Sequence, residues 1–391
     1  MRIASKNAGS FGPSLRIGVL GGGQLGRMMI QSAIDFDARV EVMDCSADAP
    51  CSNFTHRFVQ GDLNDAEAVV AFGRDLDCIT IEIELVSVEG LRTLEQQGVR
   101  VIPKPEHLAT IQDKGLQKQF FEVNGIPTAP YLLIDNASEV GAMGFPIVQK
   151  LRKGGYDGKG VVVLKDETSV DKAFTLPSIL EAAVDIDKEL SVIVARNSAG
   201  ETKCFPVVES VFDPVANLVD YLIAPAAITA AQAAEAERVA QQVVEAMDFE
   251  GLLAVELFLD TSGNILVNEV APRTHNSGHH TIEANVTSQF EQHLRTVLDL
   301  PLGSTAPVHA VGAMVNIVGT ADAQGAPDYK GLDVALATEG VHPHLYGKSQ
   351  VKPFRKMGHV TITGCSREEV LERMMSIREQ LAVEGKQAPR A

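Results

Sequence analysis

The chain has 391 residues, 45% of them hydrophobic, and a formal net charge of −17 at neutral pH. This length favours two or three domains with full cores, and the acidic charge argues against nucleic acid or an anionic membrane as a partner. The five cysteines are scattered without a CxxC pair, which excludes a zinc site of that kind and favours reduced thiols in a cytoplasmic protein. No apolar run approaches the roughly 20 residues of a membrane span, and we interpret residues 1–14 as a loose leader.

The first predicted element is the strand RIGVL at residues 16–20, followed by a glycine turn and a helix. Gly21, Gly23 and Gly26 form G-x-G-x-x-G at this junction, and Asp44 ends the next predicted strand. A dinucleotide fingerprint requires this context. Two other interpretations remain open, a tight strand–helix turn without a ligand and a site for another nucleotide or sugar phosphate, because glycines and a helix N-terminus suit any phosphate.

Strands and helices alternate over the rest of the first hundred residues. The predicted strands are FVQGD, CITIEIE and VRVIP, and the predicted helices are DAEAVVAFGRD and VEGLRTLEQQG. Such alternation predicts a parallel sheet with covering helices. We therefore expect residues 15–110 to form a Rossmann-like domain.

A glycine-rich segment stands out in the middle of the chain. The preceding stretch PEHLATIQDKGLQKQFFEVNG predicts a helix that carries Lys114 and is broken at Gly115. The strand FPIVQKL then ends near Lys150, and the loop RKGGYDGKG separates it from the strand VVVLKD. A hairpin tip rich in backbone N–H groups, with Lys150 and Lys159 nearby, is suited to closing over a triphosphate. A surface hairpin without a ligand is the alternative.

The stretch from Leu252 to Glu269 predicts a hairpin around the turn at residues 261–264. The pairs expected from a symmetric turn are Asp260 with Ile265, Phe258 with Val267, and Glu256 with Glu269. Facing glutamates destabilise a hairpin unless they are neutralised, and Mg²⁺ carrying phosphates fits two such carboxylates. Two solvated glutamates on an exposed face are the alternative. Strict alternation turns Asn268 away from Glu269, so both reach one ligand only if the strand contains a bulge.

The last third predicts the strands HAVGAMVNIVG and KMGHVTITG and the closing helix REEVLERMMSIREQLA. Four basic residues cluster just before the second of these strands or at its start in an otherwise acidic chain. They are Lys348, Lys352, Arg355 and Lys356. Such a cluster commonly forms a solvated edge. If it faces a phosphorylated substrate, however, it would bind the phosphate.

Five motifs, in order, are GVLGGGQLGRMM, GGYDGKG, ELSVIVAR, NEVAPRTHNSGH and FRKMGHVT. With them, the chain resembles the ATP-grasp superfamily and, within it, the 5-(carboxyamino)imidazole ribonucleotide synthetases, over roughly residues 15–380. The resemblance implies an α/β (α+β) ATP-grasp fold with the Rossmann-like domain at residues 15–110, a small lid domain at 111–190 and a C-terminal α+β domain at 191–391. It also implies ATP-dependent carboxylation of 5-aminoimidazole ribonucleotide (AIR) with bicarbonate, a step of purine biosynthesis.

The resemblance also implies roles for individual residues. ATP would be bound by Lys114, Lys150, the loop residues Gly155, Tyr156, Asp157, Gly158, Lys159, Gly160 and Val161, the hinge residues Glu181, Ala182, Ala183 and Val184, the ribose ligand Glu189, and Asn268 and Glu269. The ligands of Mg²⁺, as two ions and with Mn²⁺ as an alternative, would be Glu256 and Glu269. AIR would be bound by Gln24, Leu25, Tyr156, Asp157, Arg273, His275, Lys348, Arg355 and Lys356. The residues expected to act in catalysis are Lys150, Asp157, Arg273 and His275.

The sequence departs from the family pattern at four positions. These positions are Leu85, Phe212, Ala271 and His280. Three alternatives to this function remain open. The first is another ATP-grasp ligase, such as the formate-dependent glycinamide ribonucleotide transformylase or a biotin carboxylase. The others are an NAD-dependent dehydrogenase and a catalytically silent binding module. By analogy we also expect a homodimer and a separate carboxylate mutase that uses the product.

Overall fold

The structure is a computed structural model that describes residues 14–155, 160–213 and 218–386. A five-stranded, a four-stranded and a nine-stranded sheet, joined by helices, organise these residues. The expected α/β fold class is confirmed. Of the predicted leader, residues 1–13 lie outside the described residues, as do the tip residues 156–159 of the glycine-rich loop.

The first sheet is parallel, with the strand order β3-β2-β1-β4-β5. Its central strands read as apolar runs because helices cover both faces. The elements are β1 (Arg16–Leu20), α1 (Gln24–Asp35), β2 (Arg39–Asp44), β3 (Arg57–Gln60), α2 (Ala66–Gly73), β4 (Cys78–Ile81), α3 (Val88–Gln96) and β5 (Arg100–Val101). Since β4 ends at Ile81, Glu82 and Glu84 follow the strand instead of belonging to it, at the sheet edge where ligands of open parallel sheets bind.

Two helices lead to the next sheet, α4 (Pro105–Ile111) and α5 (Lys114–Val123). The predicted helix break at Gly115 is wrong, because the chain breaks at Asp113. The Asp113 carboxylate caps α5 by accepting the N–H groups of Gly115 and Leu116, and it also binds the Arg152 guanidinium. The cap places Lys114 in the first turn of α5, facing the later sheets.

The second sheet is antiparallel and small, with the order β6-β9-β7-β8. Its elements are β6 (Tyr131–Ile134), β7 (Ile147–Leu151), β8 (Val161–Leu164) and β9 (Ser178–Ala182), with two short 3-10 helices at Ala137–Met143 and Glu167–Lys172. β7 and β8 flank the glycine-rich loop, which confirms the predicted strand–loop–strand arrangement. Residues 183–185 then lead directly into the large sheet.

The large sheet has the order β15-β14-β10-β12-β13-β16-β19-β18, with β11 beside β10. Its strands are β10 (Ile186–Arg196), β11 (Thr202–Cys204), β12 (Val208–Asp213), β13 (Leu218–Ala224), β14 (Gly251–Asp260), β15 (Ile265–Ala271), β16 (Val311–Val318), β18 (Val341–Leu345) and β19 (Lys356–Gly364). The helices are α6 (Ala230–Ala246), α7 (Thr281–Ala284), α8 (Gln289–Val297), α9 (Leu332–Ala337) and α10 (Arg367–Gln380), and β17 (Pro327–Lys330) pairs with β20 (Ala382–Gly385). None of the described helices is long and apolar enough to cross a membrane.

The first and third sheets are joined by polar contacts between their supporting elements. The Arg100 side chain donates to the carbonyl groups of Thr296 and Val297 and binds the Glu250 carboxylate. The Thr80 hydroxyl lies 2.8 Å from Nε2 of His293, and both groups are buried. These contacts hold β4 and β5 of the first sheet against α8.

Candidate active site

The β14–β15 hairpin carries the two glutamates predicted to bind a metal, and Glu256 pairs with Glu269 as expected. The other two predicted pairs are wrong. The observed pairs outside Glu256 are Leu257 with Val267, Phe258 with Leu266 and Leu259 with Ile265. The Asp260 carboxylate causes this shift, because it accepts the N–H groups of Ser262 and Asn264 and draws the turn inward.

The extra residue created by this shift is Asn268, which forms a β-bulge. The bulge lets neighbouring side chains reach one side of the strand. Lys150 donates from Nζ to Oδ1 of Asn268 over 2.7 Å, and Lys114 donates to the Glu269 carboxylate. The bulge required for Asn268 and Glu269 to share a pocket is therefore present.

Behind this pocket, the Glu181 carboxylate lies between two lysines. It contacts Lys118 and lies 2.6 Å from Nζ of Lys150, and its side chain is almost completely buried. Burial opposes ionisation of Glu181, but Lys150 and Lys118 outweigh burial and lower its pKa. The Glu181 carboxylate is thus bound by two lysines, and residues 182–184, which are predicted to face adenine, connect the four-stranded sheet to the large sheet.

Lys118 is a site residue that sequence reasoning did not assign. Its side chain is 3% exposed, and its Nζ contacts the Thr128 hydroxyl as well as Glu181. The Thr128 hydroxyl donates to the carbonyl of Val267 on β15. The signal available in the sequence was its position four residues after Lys114, which places both lysines on one face of α5.

A cavity lies next to the two facing glutamates Glu256 and Glu269, which are named the metal pair after their predicted role, and groups from several strands of the large sheet line it. Its polar lining includes Glu189, Ser191, Ser210, Glu256, Asn268 and His275, and its apolar wall includes Phe212, Val219, Leu222 and Leu257. Burial and the neighbouring Glu256 carboxylate raise the pKa of Glu189 to about 7, against the opposing effect of Lys150. Phe212, one of the departures from the family pattern, thus makes its part of this wall apolar.

The raised pKa predicts that Glu189→Gln stabilises the protein at pH 8 and not at pH 4. The folded protein keeps a proton that the unfolded chain releases, so its free energy of unfolding falls as pH rises from 4.5 to about 7. The raised pKa of Glu189 lowers the free energy of unfolding at pH 8 by up to about 3 kcal/mol. The free energies of unfolding in urea, measured at pH 4 and pH 8 for wild type, Glu189→Gln and the exposed-site control Glu339→Gln, test this prediction. An equal difference at pH 4 and pH 8 would contradict it.

The loop after β15 places Arg273 and His275 beside the metal pair and the first domain. Nε2 of His275 lies 3.2 Å from Oε1 of Glu256, and its Nδ1 lies 2.9 Å from Oγ of Ser277. Nη2 of Arg273 lies 2.8 Å from Oε1 of Glu84. Glu84 was not assigned to the site in advance, although its place directly after an apolar strand is the signal that could have found it.

The glycine turn that follows β1 lies directly over Glu82. The N–H of Leu25 donates to Oε1 of Glu82, and a Cβ on Gly23 would lie 2.4 Å from that oxygen. Burial raises the pKa of Glu82 to about 7, against the opposing effect of Arg273. The Asp44 carboxylate accepts the N–H of Gly22 over 2.7 Å, so the acidic residue of the dinucleotide motif stabilises the turn itself.

The basic cluster lies against the start of α1. A Cβ on Gly347 would lie 2.2 Å from the Arg27 guanidinium, so the segment that begins with Lys348 lies beside the side chain of Arg27 on α1. Nζ of Lys348 donates to the carbonyl of Lys356 over 2.7 Å. Arg355 donates to the carbonyl of Gln350 over 2.6 Å. The predicted AIR residues that are described thus come from three segments, which are the first glycine turn, the loop after β15 and the basic segment.

The described flanks of the glycine-rich loop lie beside Lys150 and Leu151. Gly160 has φ +79°, in the region that favours glycine, and its carbonyl accepts the N–H of Leu151. Lys150 pairs with Val161 across β7 and β8, and Gly155 lies close to Gly160. The predicted site residues Tyr156, Asp157, Gly158 and Lys159 lie outside the described residues.

Oxygen donors make the hairpin pocket suitable for Mg²⁺. Glu256 and Glu269 face each other, and Asn268 is the bulged residue of β15 next to Glu269. Burial opposes ionisation of Glu269, but the adjacent Lys114 and Lys150 lower its pKa. No cluster of three histidine, cysteine, aspartate or glutamate side chains suited to a metal occurs among the described residues. The donor set therefore fits a cation that takes its remaining ligands from phosphate and water.

Comparison with known proteins agrees with this geometry. Residues 15–112 match the ribonucleotide synthetase preATP-grasp domain, residues 119–290 the ATP-grasp domain, and residues 312–373 the phosphoribosylaminoimidazole carboxylase C-terminal domain. The chain is an ATP-grasp ligase.

Its nearly full-length relatives define the family. The N5-carboxyaminoimidazole ribonucleotide synthase of Synechococcus elongatus is 37% identical over 386 residues, 96% of each chain. The N5-carboxyaminoimidazole ribonucleotide synthetase of Thermotoga maritima has a TM-score of 0.88 at 41% identity, covering 95% of this chain and 100% of that one. The Aspergillus clavatus enzyme, solved with ADP and 5-aminoimidazole ribonucleotide, has a TM-score of 0.85 at 31% identity, covering 93% of this chain and 98% of that one. This chain belongs to the N5-carboxyaminoimidazole ribonucleotide synthase family, as its five motifs indicated.

Proposed function

We propose that the protein carboxylates the exocyclic amine of AIR, using bicarbonate and ATP and releasing ADP and phosphate. The observation that carries this proposal is the meeting of three groups of residues at one pocket. The lysine–carboxylate network suits a triphosphate, the Glu256–Glu269 pair suits its cation, and the loop with Arg273 and His275 connects the pocket to Glu84 of the first domain. The N5-carboxyaminoimidazole ribonucleotide synthase of Synechococcus elongatus matches 96% of this chain.

In the proposed first step, an oxygen of bicarbonate attacks the γ-phosphorus of ATP and ADP leaves, which gives carboxyphosphate. Lys150 and Lys114 would bind the phosphate oxygens as negative charge spreads over the transferred group. Mg²⁺ bound by Glu256 and Glu269 would neutralise further phosphate charge. The loop at residues 155–161 would close over the phosphates and exclude water from the intermediate.

In the second step, the AIR amine attacks the carboxyl carbon of carboxyphosphate, or CO₂ released from it, and phosphate is the leaving group. Asp157 and His275 would position the amine and accept its proton. The Arg273 guanidinium would hold the carboxylate or the ribonucleotide beside them. Lys348, Arg355 and Lys356 would bind the phosphate of AIR, and Gln24 and Leu25 would lie along its ribose.

The direct test is ADP release from ATP by the purified protein, with AIR and bicarbonate added separately and together. We expect turnover only when both are present, and the carboxylated product should form in step with ADP. Replacing bicarbonate by formate, and AIR by glycinamide ribonucleotide, tests the transformylase alternative. ATP turnover that ignores AIR would refute the substrate assignment, and ATP binding without turnover would favour a silent binding module.

Replacing His275 by asparagine should lower AIR-dependent ADP release about a hundredfold, because a positioned acid–base group is lost. Binding of ADP should remain close to that of wild type, since His275 lies on the Glu256 side of the pocket, away from the lysines. His309→Asn alters an exposed histidine and serves as the control. Turnover within a few-fold of wild type would remove His275 from the mechanism.

The remaining expectations are part of the same proposal. We propose a cytoplasmic homodimer whose product is passed to a separate carboxylate mutase, with Mg²⁺ as two ions or Mn²⁺ in its place. We also propose domain borders near residues 110 and 190; β10 already belongs to the large sheet from Ile186. Sedimentation of the purified protein tests the dimer, and metal titration of ATP turnover tests the ions.

A further inference from the structure

Three histidines outside the metal pocket form a stack inside the C-terminal domain. His344 on β18 and His359 on β19 are cross-strand partners, with ring centroids 4.5 Å apart and ring planes 11° apart. His279, in the loop after β15, also packs against His359, with a centroid distance of 4.6 Å and ring planes tilted by 33°. His279 and His359 are completely buried. One ring from each of three separate segments therefore contributes to a single column.

The outer end of the column is held by a carboxylate. Nε2 of His344 lies 2.7 Å from Oε1 of Glu283, on α7. On the other side, Nδ1 of His359 lies 3.1 Å from the Tyr346 hydroxyl, and the Tyr346 ring lies 5.4 Å from Nζ of Lys348. The column thus extends from α7 to the first lysine of the basic segment.

The column adjoins both segments that are proposed to bind AIR, the loop with Arg273 and His275 and the Lys348–Lys356 segment. His279 is four residues after His275 in the loop that carries Arg273. Lys356, whose carbonyl accepts from Lys348, is the first residue of the strand that carries His359. A shift of the column would therefore move the catalytic loop and the basic segment relative to each other.

The inner histidines are uncharged, which makes close stacking possible. Burial, followed by the neighbouring histidines, holds the pKa of His279 and His359 well below the usual range. The other titratable or charged groups around the column are His275, His280, Glu283, Tyr346, Lys348 and Lys356. Neutral stacked rings pack without repulsion and lose little freedom on binding, so they form a stiff support.

We propose that His279, His344 and His359, with Tyr346, are positioning residues that hold the His275 loop and the Lys348–Lys356 segment at the separation that AIR requires. They touch no substrate; they act through Arg273, His275, Lys348 and Lys356. This inference rests on the proposed function, because it takes those four residues to bind AIR. The proposed ATP residues Lys114, Lys150 and Glu189 lie on other elements, α5, β7 and β10, so the column should affect AIR selectively.

Two variants test the column by steady-state kinetics. His359→Asn removes the central ring but keeps a polar atom for Tyr346, and Tyr346→Phe removes only the hydroxyl. We expect His359→Asn to raise the KM for AIR about tenfold and Tyr346→Phe to raise it about threefold, which are the effects of losing one or two buried contacts. The KM for ATP, and kcat at saturating AIR, should stay within about twofold of wild type.

The control is His107→Asn, because His107 also packs its ring against an aromatic side chain, Phe249, but lies on α4. It should leave the KM for AIR unchanged. If His359→Asn does not fold, Tyr346→Phe, which keeps the ring, carries the test. Equal increases in both KM values, a loss confined to kcat, or an unchanged KM for AIR in Tyr346→Phe would overturn the inference. Wild-type turnover that ignores AIR would instead refute the proposed function.

Discussion

Glu269→Gln is expected to lower ATP turnover by about a hundredfold to a thousandfold, the range found when one preorganised electrostatic group is removed. Glu269 is one of the two facing carboxylates, and it is the partner of Lys114. The amide keeps the shape of the side chain but loses the charge that attracts a divalent cation. Lys114 is then left without its carboxylate. Turnover measured across a Mg²⁺ titration should show a lower maximal rate and a weaker dependence on Mg²⁺.

A matched control is Glu41→Gln, because Glu41 is also a buried glutamate bound to two basic side chains, Arg16 and Arg57. It lies on β2 of the first sheet. Glu41→Gln should reduce stability and leave the kcat of the folded protein unchanged. A Glu269→Gln protein that is folded and retains wild-type turnover would exclude Glu269 as a metal ligand.

Lys150→Met should lower kcat/KM for ATP by about a hundredfold or more, because its ammonium group is proposed, together with that of Lys114, to bind the phosphate oxygens as charge spreads over the transferred group. Lys150 is almost fully buried and binds both Glu181 and Asn268. Methionine fills most of the same volume, and Lys118 still neutralises Glu181. The fold should therefore survive while phosphoryl transfer fails.

Lys172→Met is the control for this variant, since Lys172 is an exposed lysine in the 3-10 helix of the same small sheet domain. Stopped-flow phosphate release and ADP binding separate the two possible losses. Lys150→Met should reduce both the rate of transfer and the affinity for ADP. Equal rates for Lys150→Met and Lys172→Met would show that Lys150 does not contact the transferred group.

The sequence predicted most of the architecture because the local signals agree with one another. Gly-rich turns, alternating strands and helices, and five ordered motifs all indicated the same fold. The misplaced helix break shows where such signals compete. Gly115 looks like the breaker, but the Asp113 side chain caps the helix and also reaches Arg152, a residue 39 positions later. A contact at that distance leaves no local signature.

The site was predicted less completely than the fold, since its geometry depends on contacts between segments. Glu181 has the position of a hinge residue in sequence, yet its carboxylate is held by Lys118 and Lys150. The Arg273–Glu84 pair joins the first domain to the β15 loop. The histidine column also escaped prediction, because each of its rings belongs to a different segment and looks like an ordinary core residue on its own.

The bulge at Asn268 also has a consequence for how this hairpin tolerates change. In a regular hairpin, a one-residue shift in pairing turns every later side chain to the opposite face. Here the shift that starts at Asp260 ends at Asn268, and Glu256 still faces Glu269. A residue added between Ser262 and Gly263 in the exposed turn is therefore expected to leave the carboxylates in place, whereas Thr261 is bound to Asp185 and has to stay. That turn is a suitable point for inserting a peptide tag or a fluorescent reporter beside a working active site.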